Sequence, residues 1–503
     1  MSQNPKFTFV QDRDRRIDEP LVTNPRSYLG DALVTFRQNR SSVAAAWILL
    51  FLILFAVFAP ILSPYSIKDQ DRIYTNYPSI LPICAKKGWS WMGGAKLYDS
   101  QNDASMLFWE GIAQETGMDP VIRRLRTFET PGRRRGEDVV RHSYDIRVNA
   151  YYAVGNIYQS FSYKQFEAVQ RWQDETGIQV IYPYVHASDI HDIKNNPNLW
   201  YQVNEKGVAQ LSEDGHFVPV YATDKADEGA PYDSLRIPGD DGSYIYSIKK
   251  SGAVQCRVNY YNYYRYKNGH EPVYIFGTSL MGMDLFGAIG MGARFSLLFA
   301  LLVAGINMVI GILYGSLQGY YGGAVDMILD RVSDILSGVP FVVVATLFQL
   351  HLSARVGVVP SFLFAFVLTG WISVAALTRK QFYRFKGREF VLAARALGAS
   401  DKRLMFVHIL PNAAGTLVTS CALVIPAVIS SETALSYLGI VDLSGFTGTT
   451  LGTLLSQGNA SATTAPNSIL WPSLFLGLLM ISFNLFGNGL RDAFNPETRG
   501  TEN

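Results

Sequence analysis

The chain has 503 residues, 48% hydrophobic and only 17% charged, against roughly 25% charged in an ordinary soluble domain. A formal net charge of +2 excludes the basic face of a nucleic-acid binder, and the length leaves room for more than one domain. The averages hide a contrast, because residues 66–274 are polar and hold 21 of the 28 tyrosines, whereas 286–494 are long apolar runs.

In chain order, residues 1–42 read as a cytoplasmic N-terminal segment. Within it, 27–38 places Leu29, Leu33 and Phe36 on one side of an elbow helix suited to the inner membrane surface. Residues 43–62 carry no charge and match the roughly 20 residues that cross a bilayer. Ala56 and Ala59 are one position too far apart for a signal-peptidase site, so this is a retained transmembrane helix. Five further crossings are expected at 296–313, 328–350, 360–377, 413–430 and 469–486. Six crossings put both termini on one side. Arg13, Arg15, Arg16, Arg26, Arg37 and Arg40 precede the first, and Arg379, Lys380, Arg384, Lys386, Arg388, Arg395, Lys402 and Arg403 lie between the fourth and fifth. No Lys or Arg occurs from Glu432 to Pro472. The positive-inside rule therefore places both termini, the 495–503 tail and the 379–411 loop in the cytoplasm, and the polar block outside.

The block at 66–274 reads as an α+β domain. An amphipathic helix is expected at 162–176, strands at 144–154 and 179–185, and a strand at 244–248 after the Asp241-Gly242 turn. Tyr260, Tyr261, Tyr263, Tyr264 and Tyr266 suit either a recognition surface or half-buried strand packing. Cys84 and Cys256, near the block's ends, are either a disulfide or two unrelated buried thiols. No CxxC or Cys/His ligand spacing occurs, and His142, His186, His191, His216 and His270 are scattered, so neither a metal site nor a catalytic constellation stands out.

Four charges, Asp326, Asp330, Arg331 and Asp334, open the third crossing. A lone ion at bilayer centre costs roughly 2.5–3.5 kcal/mol, so an interfacial position is expected. Arg331 is then paired with an acid on a neighbouring helix or subunit, a gating role being the alternative. Glu432 ends the fifth crossing and reads as helix-end packing.

Between the fourth and fifth crossings, Glu389 to Asn412 reads as a short helix, a break at Gly398, a second amphipathic helix and Pro411 at the mouth of a crossing. Small side chains at Ala393, Ala394 and Ala396 let another surface come close, which suits docking of a cytoplasmic partner. A loop facing lipid would use the same pattern.

Here the chain resembles a known family. Ala393-Ala394, Gly398, Leu410 and Pro411 follow the spacing of the EAA loop of ABC importer permeases, with Leu392 where Glu is expected and His408 where Ile is expected. The run from Phe276 to Phe286 resembles the LGTDxxGRDxF segment of dipeptide/oligopeptide permeases, with Ser279 and Met283 as departures. Gly292-Ala-Arg-Phe-Ser-Leu297 resembles GARxSL. Gly319-Tyr-Tyr-Gly-Gly323 followed by Asp326, Arg331, Asp334 and Pro340, and the ends of the last two crossings, complete the likeness. It covers 277–496 and the first crossing and is silent on 66–274.

The resemblance implies the C-type permease subunit of a bacterial oligopeptide/dipeptide ABC importer. This is an α-helical membrane protein with six transmembrane helices of the type I fold, the permease core lying at 277–494. It implies a homologous B-type permease, two ATPase subunits that bind ATP and Mg, an extracytoplasmic peptide-binding protein, and the bacterial cytoplasmic membrane with its lipid. The ATPase-coupling loop, 389–411, then carries Glu389, Leu392, Ala393, Ala394, Gly398, Asp401, Leu410 and Pro411. No GxxxxGK[ST] loop occurs, so this chain itself is a non-catalytic subunit without a cofactor. Nickel is a competing cargo in the family, but seven unclustered histidines favour peptide. A membrane receptor or sensor is the reading from another class, and a coupling loop is something a sensor does not need.

Overall fold

The computed structural model describes residues 28–66, 68–134, 137–182, 196–204, 208–218, 220, 236–238, 244–246 and 253–494. The chain divides into two compact units, one of 1–53, 297–432 and 476–503, the other of 54–296 and 433–475.

Among the described residues, five helices are long and apolar enough to cross a membrane: Arg40–Leu62, Leu285–Tyr321, Val358–Phe385, Asp401–Tyr437 and Asn467–Phe494. The pair Gly323–Ser337 and Phe341–His351 passes the same test together but is bent by 73°, giving six spans if the pair counts as one. The expected continuous crossing at 328–350 is therefore broken. Pro340 supplies the reason: it has no N–H to continue the ladder, and it restricts Val339 before it to extended backbone. Pro340 caps the following helix from φ −60°, ψ 127°.

In the first unit, the Tyr28–Gln38 helix brings Phe36 edge-to-face against Phe486 at 5.5 Å. Ser42 Oγ donates to the Leu485 carbonyl at 3.3 Å. Gly489 admits this approach, since a Cβ there would lie 2.1 Å from Ser42 Oγ. Stacking of Phe299 on Phe362 (5.2 Å) and a tilted contact of Phe341 with Phe366 (4.6 Å) join three apolar helices.

The expected separate second helix of the cytoplasmic loop does not occur. Helix runs without interruption from Asp401 through the crossing, with a π-helical stretch at Leu404–Ile409. Pro411 explains the widening. In a regular helix its ring would press on the Val407 carbonyl, and a π turn carries that carbonyl aside. Asn412 Nδ2 donates to the His408 carbonyl at 2.7 Å in the same turn.

The second unit contains the polar block. One antiparallel sheet has the order β1-β3-β2, formed by β1 (Ala95–Gln101), β2 (Val121–Arg134) and β3 (Glu137–Asn149). A second has the order β4-β8-β5, formed by β4 (Asn156–Ser162), β5 (Ile181–Tyr182) and β8 (Ala253–Asn259). The hairpin β6 (Arg236–Pro238) with β7 (Tyr244–Tyr246) stands apart. The Asp103–Thr116 helix packs Met106, Trp109 and Ile112 on Ile146 and Val148. The Tyr163–Thr176 helix packs Phe166 and Val169 on Phe161, Val180, Ile181 and Val258. Its start is set by a capping box between Ser162 and Gln165, which satisfies two end donors at once.

Several sequence expectations are revised here. The 144–154 strand ends at Asn149 and passes into a 3-10 turn at Tyr152–Val154. Residues 183–185, His186, His191 and Asp241-Gly242 lie outside the described residues. The five tyrosines at 260–266 form neither a strand nor an open recognition surface. They lie on the Tyr260–Asn268 helix, capped by the Asn259 side chain, which accepts from the Asn262 N–H at 3.0 Å. Tyr261 and Tyr264 are buried in a cluster with Tyr74, Ile80, Tyr151 and Tyr274, and burial raises the Tyr264 and Tyr274 phenols well above their usual range. Cys84 and Cys256 are both buried and both free, which is the second of the two readings, unrelated thiols, and not the disulfide. Cys256 is enclosed with Phe161, Phe166 and Val258, and burial pushes its thiol up; Cys84 lies on the separate Pro82–Lys86 helix.

At the end of Arg40–Leu62, Pro60 deprives the Ala56 carbonyl of its helical donor. Arg294 replaces it, with Nε 3.4 Å from the Ala56 oxygen and Nη2 2.7 Å from that of Val57. Ser63 Oγ donates to Asp284 Oδ2 at 2.7 Å, and Asp284 in turn accepts from the Phe286 and Gly287 N–H groups at the start of the next long helix. Arg294 and Asp284, both from motifs that carried the family resemblance, thus clasp one helix end to another.

Candidate functional site

The Glu389–Ala396 helix begins after extended Arg388, with Glu389 in its first turn, where a carboxylate faces the positive end of the helix dipole. One side packs inward. Val391 is buried with Tyr320, Phe382, Leu404, Met405 and Ile409, and Ala394, Ala399 and Leu410 lie against that cluster. The other side is open, with Leu392 and Ala393 exposed and Leu397 89% exposed at the tip. This side of the helix therefore stands uncovered above a well-packed support.

The break at Gly398 has a defined geometry. Its N–H bonds to the Arg395 carbonyl at 3.0 Å, and the Ala399 N–H bonds to the Ala394 carbonyl at 3.0 Å. With φ +84° at Gly398, this is a Schellman C-cap. A Cβ at this position would meet nothing within 4 Å, so glycine is needed for its backbone angle and not for space.

Asp401 receives the Tyr320 hydroxyl at 2.5 Å, and Arg395 Nη2 lies 3.4 Å from the same hydroxyl. Lys386 Nζ donates to the Gly319 carbonyl at 3.0 Å. The turn is thereby pinned to the end of the Leu285–Tyr321 helix. Leu392, at the position of the family's glutamate, is half-exposed and brings no polar contact of that kind, and exposed Glu389 lies one turn earlier. Pro411 sits in the second position of Leu410–Tyr437.

The charges on the bent third crossing are resolved by a residue the sequence marked only as one of many cations. Arg379 bridges Asp326 at 2.5 Å and Asp330 at 2.7 Å, and Tyr383 Oη donates to Asp326 at 2.6 Å. Lys386 Nζ lies 4.3 Å from the Tyr383 ring centroid. Within this chain Arg331 pairs along its own helix, with exposed Asp334 at 3.1 Å. Glu432 is fully buried, five residues before the end of its helix. Tyr320, Arg379, Arg395 and Tyr383 are the site residues that sequence reasoning missed. A pairing requirement for Asp326 was legible, but the identity of its partner was not. Among the described residues, no three His, Cys, Asp or Glu side chains are grouped to hold a metal ion.

Residues 307–500 match the family model for the binding-protein-dependent transport system inner membrane component. Residues 27–78 match the model for the N-terminal TM domain of oligopeptide transport permease C. The chain is 37% identical over 227 residues to the oligopeptide transport system permease protein OppC of Bacillus subtilis (strain 168), covering 44% of this chain and 72% of that one. It is 37% identical over 225 residues to the dipeptide transport system permease protein DppC of Lactococcus lactis subsp. cremoris (strain MG1363), covering 44% and 64%. A solved structure of the MetNI methionine ABC transporter, inward facing, aligns over 41% of this chain at 15% identity, with a TM-score of 0.35 that adds nothing to the assignment. Neither family model reaches residues 79–306. On its matched segments and its apolar helices, the chain belongs to the oligopeptide/dipeptide transport permeases, α-helical inner membrane components of ABC importers, and it carries in addition an α+β block.

Proposed function

We propose that this chain is one of two permease subunits of an ATP-driven importer of oligopeptides or dipeptides in the bacterial cytoplasmic membrane. A homologous B-type permease completes the pathway, two ATPase subunits hold ATP and Mg, and an extracytoplasmic binding protein delivers peptide. The chain is non-catalytic and acts as the transmission element. Both termini and the 379–411 loop face the cytoplasm, in line with the Lys/Arg distribution.

The observation that carries this reading is the bare Leu397 tip, held by the Gly398 cap on a cluster that joins three membrane helices. When the ATPases close, a push on the tip reaches Tyr320, Phe382 and Ile409 together, because a close-packed cluster moves as a unit. The Arg379–Asp326–Asp330 bridge ties the bent third crossing to the same helix that carries Phe382, and serves as a structural clamp on that movement. The polar block acts as a docking or scooping domain for the binding protein.

Affinity purification of the tagged chain from its host membranes, followed by peptide uptake into proteoliposomes, tests this reading. Two ATPases and a second permease should copurify, and Leu397→Asp should abolish uptake while the chain still inserts. Unaltered uptake with Asp at 397 would remove the loop from the mechanism. For the block, replacing 69–271 by a short Gly/Ser linker should weaken binding-protein affinity while basal ATPase persists. Unchanged affinity together with unchanged uptake would leave it a structural cover.

A further inference from the structure

The polar block is bonded directly to the helices beside it. Residues 71–80 run along 274–282 as a strap. The Asp71 N–H donates to the Gly282 carbonyl at 3.2 Å and the Asn76 N–H to that of Ser279 at 3.0 Å. The Tyr77 N–H donates to Thr278 Oγ1 at 2.8 Å, and the Thr278 N–H returns to the Tyr77 carbonyl at 3.0 Å. Ile80 and Tyr274 exchange backbone bonds of 2.8 and 3.0 Å. The strap also belongs to the core of the block. Tyr74 is buried with Tyr151, Tyr261 and Tyr264, the Tyr151 hydroxyl donates to the Pro78 carbonyl at 2.9 Å, and the Tyr260 hydroxyl donates to Asp71 at 2.6 Å.

Where the strap meets the helices, one ring from the block enters among theirs. Phe276 stacks on Trp471 at 4.4 Å and lies 5.5 Å from Phe286 and 6.2 Å from Phe55. Phe55 in turn meets Phe286 at 5.1 Å and Phe475 at 5.4 Å. The partners of Phe276 thus come from the adjoining ends of Arg40–Leu62, Leu285–Tyr321 and Asn467–Phe494. Asn467, the first residue of the last helix, donates from Nδ2 to the Tyr77 carbonyl at 3.1 Å and to the Phe276 carbonyl at 3.2 Å. An amide nitrogen carries two protons, so one side chain serves both. Gly277 admits this approach: with φ +83°, a Cβ there would lie 2.3 Å from the Tyr77 oxygen and 2.4 Å from Asn467 Nδ2.

We propose that the block and the adjoining ends of the first, second and last apolar helices move as one body, with Phe276 and Asn467 as the joint, so that a partner loading the block shifts those helix ends. The joint rests on the geometry, and the loading rests on the docking reading above. A domain hung on a flexible coil dissipates a displacement in the coil. A strap bonded along its length and a packed ring cluster pass it on, because close-packed interiors yield little. Removing the Asn467 amide takes a donor from two carbonyls and unties the strap from the last helix.

The test uses the assembled importer in nanodiscs, with the three native cysteines of this chain replaced by alanine. Spin labels are attached at Lys164→Cys on the block and Thr463→Cys ahead of the last helix, both exposed positions. The distance between labels should be single and equal in the ATP-free and vanadate-trapped states, and Asn467→Ala and Gly277→Ala should each broaden it. Both variants should keep basal ATPase and affinity for the binding protein, yet lose the ATPase stimulation that the bound protein gives. A wild-type distance that changes between the two states would overturn the proposal without recourse to any variant. So would full stimulation in either variant, or a fall in affinity that accounts for the lost stimulation, since the joint would then shape the docking face and transmit nothing. If replacing 69–271 leaves that affinity intact, the docking reading fails alone, and the distance still decides the joint.

Discussion

The loop around Gly398 and the block at 66–274 are both polar stretches inserted between apolar helices, but they hold their shape by different means. The loop rests on one small cluster and a handful of polar ties, so single residues decide it. The block has its own aliphatic and aromatic clusters and a buried ion pair, Arg257 with Glu115, whose side chains are 0% and 3% exposed. Asn156 Nδ2 adds a bond of 2.6 Å to Glu115. A transmitting element must shift between states and keeps few contacts, whereas a block set among helices must keep its own shape as they move.

The contrast is broken most directly at the buried pair. Arg257→Ala leaves the Glu115 carboxylate buried and short of a partner, and should destabilise the block by about 3–5 kcal/mol. Limited proteolysis should then cut the block while the membrane helices remain intact. If the helices are lost as well, the block does not fold independently.

At the loop, Gly398→Val forces a β-branched residue to φ +84°, a cost of about 1–3 kcal/mol that comes from the backbone alone. Peptide-stimulated ATPase should fall while subunit assembly is largely kept, and Gly398→Asn should be milder, because Asn tolerates this conformation. Equal loss in both variants would point to space and not to the backbone angle.

A third change sharpens the comparison at the two apolar helices that flank the block. Arg294→Ala should cost about 1–3 kcal/mol by leaving the Ala56 carbonyl without a donor. In a Pro60→Ala background the helix supplies that donor itself, so much of the cost should vanish. Thermal midpoints of the four proteins in detergent give the coupling, and simple additivity would sever Arg294 from Pro60.

The smallest effect is expected for Tyr320→Phe, which removes the bond to Asp401 but keeps the ring in its cluster. A loss of about 0.5–1.5 kcal/mol in loop stability, read as faster amide exchange over Ala396–Arg403, would support the pin. No change in exchange would mean that the cluster alone holds the turn.

Local pattern was enough for much of this molecule. Apolar runs near the thickness of a bilayer marked the crossings, and the hydrocarbon interior leaves few other solutions. The break at Gly398 and the helix at 162–176 were legible because such elements are decided by neighbours within a few residues. The family's motifs likewise lie on contiguous segments. What the sequence withheld is what depends on residues far apart in the chain. Arg379 reaches Asp330 across 49 positions and Arg294 reaches Ala56 across 238, and no periodicity encodes either pairing. The tyrosines of 260–266 suited a surface or half-buried packing equally well by composition, and packing against Tyr74, Tyr151 and Tyr274 buries two of them. Cys84 and Cys256 bracket the block in sequence, but they lie on separate elements and remain free thiols. A side chain's type sets what it must find, a hydrogen bond, a counter-charge or an apolar wall, and only the tertiary structure settles which distant residue supplies it.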